Sequence, residues 1–196
     1  DFYILREYSL LSQNIAQFGP SAFQLSPILN MLNTKYFVRD PNREAIANPF
    51  ANGNAWFVEN VKTVDNADQE ILALGDSTID LKSTAVINKK DFKNIQAPEQ
   101  FDPEASVELT KYGLNHLKYK SISTFTGPVI FSEIYYPKGW NCYIDGKLVE
   151  TFRANYVLRG GMVPKGEHEI IWKFEPDSMK TGSLISGIGS SLLILI

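Results

Sequence analysis

The sequence predicts an α+β fold, mainly β, in which N-terminal helices and short strands precede an antiparallel β-sandwich. Three observations carry this expectation. Ahead of the apolar run at 181–196, helical periodicity is confined to the part of the chain before Gly75. From Val107 onward, β-prone runs recur between turn signals at short spacing, as in a sandwich. Phe, Tyr and Trp make up 12% of the chain, and such rings fit a half-buried pleated face.

The elements follow in order. Ile4, Tyr8, Leu11, Ile15 and Phe18 recur at helical spacing, so 3–17 reads as an amphipathic helix ended by Gly19-Pro20. Ser26-Pro27 pairs an N-cap residue with Pro at the first helical position, opening a short helix through Leu32. Lys35 to Val38 reads as a strand, and Ala55 to Val64 as a second one. Asn66 with Gln69 resembles a capping box and Gly75 a stop, which predicts a helix over 67–74. Thr84 to Ile87 is a third short strand, and the punctuated stretch from Pro98 to Pro103 is the best internal boundary.

Beyond that boundary, as far as Phe174, the reading is β. Val107–Tyr112 and Leu117–Ser123 flank a turn at Gly113 and Asn115. Val129–Tyr136 is a strongly β-prone run stopped by Pro137 and Gly139. Trp140–Ile144 and Lys147–Phe152 flank Asp145-Gly146, the strongest short-range hairpin signal. His168, Ile170, Trp172 and Phe174 alternate with Glu169, Ile171 and Lys173, as in a strand with one buried face. The expected division is a mixed α/β part over 1–100, a sandwich over 104–177, and an uncharged apolar run over 181–196. That last run reads as the start of a truncated transmembrane helix, with Gly182, Ser186 and Ser190 spaced for close helix packing.

Charge and cysteine usage exclude several classes. The net charge is −3 and no Lys/Arg block occurs, so the footprint that neutralises phosphates is missing and no nucleic-acid partner is expected. The single cysteine, Cys142, can form neither an intrachain disulfide nor a thiolate metal site, and reads as a small buried hydrophobe. His116 and His168 lie far apart, without ligand-spaced partners, so no metal and no cofactor is expected. Glu133 and Asp145 are lone carboxylates. Asp145 is explained by its turn and Glu133 by a solvent face, and no nucleophile elbow or phosphate loop is present. No catalytic residue is assigned.

The one suggestive cluster joins Tyr135, Tyr136, Trp140 and Tyr143 with Arg153, Asn155 and Arg159. Aromatic faces stack on sugars, while Arg and Asn supply directional hydrogen bonds. The candidate substrate-binding residues are therefore Trp140, Tyr136, Arg153, Asn155 and Arg159. The same rings would equally serve to fill a sandwich core.

Several ordered motifs carry a family resemblance. They are Leu32-Asn-Thr-Lys-Tyr-Phe37, Gly53-Asn-Ala-Trp-Phe-Val58, Phe131-Ser-Glu-Ile-Tyr-Tyr-Pro-Lys-Gly-Trp140, Ile144-Asp-Gly146, Arg153-Ala-Asn-Tyr-Val-Leu-Arg159 and Val163-Pro-Lys-Gly-Glu-His168. Over about residues 30–182 the chain resembles YfhO-type bacterial multi-span membrane proteins. The resemblance implies a C-terminal extracytoplasmic domain, on the periplasmic side of the cell membrane, of a protein similar to glycosyltransferases that use lipid-linked sugars. Acidic catalytic residues of such proteins lie in membrane loops outside this sequence. The expected role is non-catalytic: positioning a glycan or lipid-linked sugar, or bracing the membrane portion of the same polypeptide. The alternative is a stand-alone carbohydrate-binding or cell-surface interaction module.

Overall fold

The computed structural model describes residues 2–90, 92 and 95–194, with the side chains of 2–5, 7, 8, 179–181, 184, 189 and 192–194 left aside. Helix α1 (Phe2–Phe18) runs into a 3-10 segment (Gly19–Leu25), followed by α2 (Pro27–Met31) and a small antiparallel pair, β1 (Tyr36–Phe37) and β2 (Ile46–Ala47). These pieces share a core of Leu11, Ile15, Ala22, Phe23, Leu29 and Phe37. Leu11 and Ile15 occupy the apolar stripe as expected, whereas Phe18 is half exposed, because the chain leaves the helix there at Gly19, whose φ is +59°. Ile4 and Tyr8 lie outside the described side chains.

The run expected as one strand over 55–64 is two. β3 (Ala55–Phe57) pairs with one sheet, and β4 (Asn60–Val64) turns away to pair in parallel with β5 (Thr84–Asn88). All three residues of β3 are buried, whereas Glu59 and Asn60 are exposed, so the chain breaks where the apolar run breaks. α3 (Ala67–Leu74) makes the crossover between β4 and β5. Asn66 caps it by accepting from the Gln69 N–H at 2.9 Å, and the Gln69 side chain accepts from the Asp65 N–H at 2.9 Å. The cap satisfies one helix-end donor, and the return bond falls on Asp65, one residue before the Asn66 position of a strict capping box.

The remaining strands build the sandwich. They are β6 (Ser106–Tyr112), β7 (His116–Ser123), β8 (Gly127–Ile134), β9 (Trp140–Ile144), β10 (Lys147–Val149), β11 (Thr151–Ala154), β12 (Leu158–Val163) and β13 (Gly166–Phe174). One sheet has the order β10-β9-β13-β7-β6, the other β11-β12-β8-β3. The fold is thus α+β and mainly β. The Asp145-Gly146 hairpin forms with φ of 48° and 78°, the two positive values that a tight turn of this hand requires. The run expected over 147–152 divides at Glu150, with β10 in the first sheet and β11 in the second. The second sheet also draws β3 from the N-terminal part, so the sandwich reaches back past residue 100.

Three layers result. Leu117, Tyr119, Val129, Phe131, Cys142, Ile144, Ile170 and Trp172 fill the space between the two sheets. The other face of the four-stranded sheet presents Trp56, Ile130, Phe152, Ala154 and Leu158 to Val64, Ala73, Leu74 and Val86 of the β4–α3–β5 unit. That sheet is covered on both sides, so Gly127 to Phe131 are buried without alternation. β13 borders solvent on one side, and its burial alternates at Ile170 and Trp172.

Past β13, helix α4 (Asp177–Ile194) extends with its described side chains exposed, Ile185 at 65% and Ile188 at 54%. Among the described residues no helix is long and apolar enough to cross a membrane. Leu192, Leu193 and Ile196, on which the burial of this run turns, lie outside the described side chains.

Candidate functional site

Arg153 and Asn155 hold the sandwich to its third layer. Asn155 and Tyr156 adopt positive φ (49° and 67°) in the connection from β11 to β12, an irregular turn that Asn tolerates better than most residues. Asn155 then bonds twice to one residue of β5. Its backbone N–H donates to the Val86 carbonyl at 2.8 Å, and its side-chain oxygen accepts from the Val86 N–H at 2.8 Å. Glu70 of α3 is fully buried because two donors from this turn reach it. The Tyr156 N–H lies at 2.8 Å and Arg153 Nη2 at 2.9 Å. Arg153 also sits 5.4 Å from the centre of the Tyr156 ring. Both candidates are thereby committed to the junction between layers.

Arg159 is 4% exposed and lies at one end of the inter-sheet core. Its guanidinium is 4.1 Å from the centre of the Trp140 ring and 5.2 Å from that of Trp172. Nε donates to the Ile134 carbonyl at 3.0 Å. Burial pulls the Arg159 pKa down from its usual value, and the nearby Glu133 carboxylate pulls it back up. Glu133 is half buried instead of lying on a solvent face, and burial raises its pKa while Arg159 opposes the shift. The same burial pushes the Cys142 thiol up to about 12, so the lone cysteine is an inert core residue. Trp140 packs against Phe174, its cross-strand partner, with ring centres 5.3 Å apart.

Only Tyr136 among the five candidates faces an open site. It is 51% exposed and lines a surface cleft of about 640 Å³ with Lys138, Asn141, Phe174, Glu175 and Asp177. The cleft lies where the β8–β9 connection meets the β13–α4 connection, which the Glu175 N–H ties together by donating to the Gly139 carbonyl at 2.6 Å. Gly139 has φ of +117°, and a Cβ there would press on Phe174 and Pro176. Glu175 is oriented by two donors, Tyr143 Oη at 2.7 Å and Asn141 Nδ2 at 3.2 Å. A carboxylate, an amide and a tyrosine face converge here, and these can accept from and donate to hydroxyl groups beside an apolar ring face.

The structure therefore separates the predicted cluster. Arg153 and Asn155 face α3 and β5, Arg159 and Trp140 lie in the core end, and Tyr136 stands alone at the cleft. Sequence reasoning named Tyr143 but missed Asn141 and Glu175. The available signal was that Asn141 and Tyr143 share the outward face of β9, two residues apart. Of the histidines, His168 is held between two groups. Nδ1 is 2.6 Å from Asp145 and Nε2 is 3.0 Å from the Lys165 carbonyl.

The family described as bacterial membrane protein YfhO matches residues 33–186. No curated protein and no solved structure matches the chain.

Proposed function

We propose, on the premise that this chain belongs to the YfhO family of bacterial membrane proteins, that its sandwich is a non-catalytic extracytoplasmic domain which positions a glycan or a lipid-linked sugar. The observation that carries this reading is the cleft at the root of α4, where Tyr136 offers a ring face beside Asn141 and the oriented Glu175. Sugars are recognised by this pairing of ring stacking with planar amide and carboxylate hydrogen bonds. The site is open to solvent and would hold a sugar weakly, which suits presentation better than storage.

A bracing role for the membrane portion is the second reading. It is favoured by the commitment of Arg153, Asn155 and Arg159 to contacts within the domain. Calorimetric titration of the chain with cell-envelope oligosaccharides separates the two. Saturable binding that Tyr136→Ala and Asn141→Ala each abolish, with unchanged melting temperatures, supports positioning. No heat with any envelope sugar leaves bracing as the role.

A further inference from the structure

The turn between β6 and β7 breaks two local rules at once. The Gly113 N–H and His116 carbonyl close it at 2.9 Å, leaving Leu114 and Asn115 at the tip. Such tips favour Gly, Asn and Asp, yet Leu114 is 95% exposed and its neighbour Tyr112 is 69% exposed. Just below the tip, Lys111 stands directly opposite Lys118 across the two strands. Like charges in that position destabilise a sheet, and Glu108 opposite Lys120 on the same strands shows the usual solution. A bulge between Leu109 and Lys111 sets this pairing, and bulges re-aim side chains.

The basic groups border one cleft. Lys111, His116, Lys118 and Lys173 line about 390 Å³ together with Ile171, Phe174 and Glu175. Lys118 is paired with Glu169 at 2.5 Å, and Lys173 lies 4.9 Å from the centre of the Tyr143 ring. Glu175 is occupied by Tyr143 and Asn141. Lys111 makes no ion pair among the described residues. The turn is also fixed to the end of β13, just ahead of α4, because the Phe174 N–H donates to the Asn115 carbonyl at 2.8 Å. An exposed leucine, a tyrosine, uncommitted positive charge and the root of an apolar helix thus share one end of the sandwich.

We infer that this end of the domain rests on an anionic bilayer, with Leu114 and Tyr112 entering the interface and Lys111 and its basic neighbours contacting the phosphodiester headgroups. Apolar tips beside lysines suit the boundary between headgroups and acyl chains, where basic residues near the surface gain from the negative potential. A soluble phosphate would account for the lysines but not for the leucine. The inference draws on the membrane family and on this geometry, not on sugar binding at the Tyr136 cleft.

The test uses the whole chain and two kinds of vesicle, phosphatidylcholine alone and an equimolar mixture with phosphatidylglycerol. In a Leu114→Cys variant an environment-sensitive dye reports on the tip, and Cys142 is 1% exposed and will not label. The dye emission should shift to the blue with the mixed vesicles and little with phosphatidylcholine. In co-sedimentation without dye, Lys111→Glu and Leu114→Asp should each weaken binding to mixed vesicles by about tenfold or more. Lys111→Glu places an opposite charge across from Lys118, so its melting temperature should hold or rise. A water-like dye emission with both vesicles would overturn the inference. So would undiminished binding by both variants, which would assign any vesicle binding to α4 alone, or a response to inorganic phosphate in solution but not to vesicles.

Discussion

Arg159 sits over the Trp140 ring with its guanidinium carbon 4.1 Å from the ring centre, in a site it shares with Trp172. The cation is stacked, yet Nη1 finds no hydrogen-bond partner among the described residues, so the charge is incompletely compensated. Truncation and apolar replacement should therefore differ. Arg159→Ala removes the stem that fills the space between the indoles and should cost about 2–4 kcal/mol. Arg159→Met keeps most of the volume and relieves the desolvated charge, and should cost less than about 1 kcal/mol. Urea unfolding of both variants gives the comparison, and equal losses would contradict this account of the site.

Glu70 is the buried acceptor for the Tyr156 N–H and for Arg153. Glu70→Ala leaves both donors without it and should destabilise by about 3–5 kcal/mol. Glu70→Gln keeps an acceptor oxygen and should lose roughly half as much. Chemical denaturation provides the values, and hydrogen exchange at Tyr156 should accelerate more in the alanine variant.

Gly160 lies opposite Phe152, and a Cβ there would overlap the Phe152 ring. At Gly161 a Cβ would meet nothing within 4 Å. Gly160→Ala should therefore cost about 1–3 kcal/mol or more, while Gly161→Ala should change stability by less than about 1 kcal/mol. In a double-mutant cycle, Phe152→Leu should recover part of the Gly160→Ala loss, because the smaller side chain vacates the overlapped volume. Strictly additive losses would refute the steric explanation.

The His168–Asp145 contact makes stability depend on pH in a fixed direction. Asp145 raises the His168 pKa through their hydrogen bond, helped by the Lys165 carbonyl. His168 in turn lowers the Asp145 pKa, helped by the Glu169 N–H. The histidine contribution is complete below its unfolded pKa of about 6.5 and disappears as pH rises through the raised folded value. The aspartate contribution is complete above its unfolded pKa near 4 and disappears as pH falls through the lowered folded value. The pair thus stabilises most between about pH 4 and 6.5. Melting temperatures from pH 5 to 9 should show a loss in the parent chain that is smaller in His168→Gln.

What the sequence reveals depends on how local the cause is. Asp145-Gly146, the Asn66 cap and the alternation of β13 are each decided within a few residues, and all three are readable. β8 and β12 are not readable as to layer, because a sheet covered on both faces loses the two-residue period that marks an inside. The break after β3 leaves a trace where Glu59 and Asn60 interrupt the apolar run, but the parallel pairing of β4 with β5, beyond α3, leaves none. At the candidate site, Arg153 and Asn155 look like ligand-binding groups until Glu70 and Val86, 83 and 69 residues away, arrive beside them. Sequence alone holds no sign of that meeting. Tyr136 is legible because Pro137 and Gly139 place it at a strand end, where exposure is the usual outcome.

α4 leaves the domain from β13, which lies in the middle of its sheet with β7 on one side and β9 on the other. The position of that exit decides how the domain responds to tension. A pull along the strand from α4 loads both hydrogen-bond ladders lengthwise, so many bonds must yield together. An edge strand pulled from its end at right angles would instead peel away one bond at a time. A load applied through α4 would therefore reach the five-stranded sheet as a unit, and the sheet would follow as a rigid body before it unravelled.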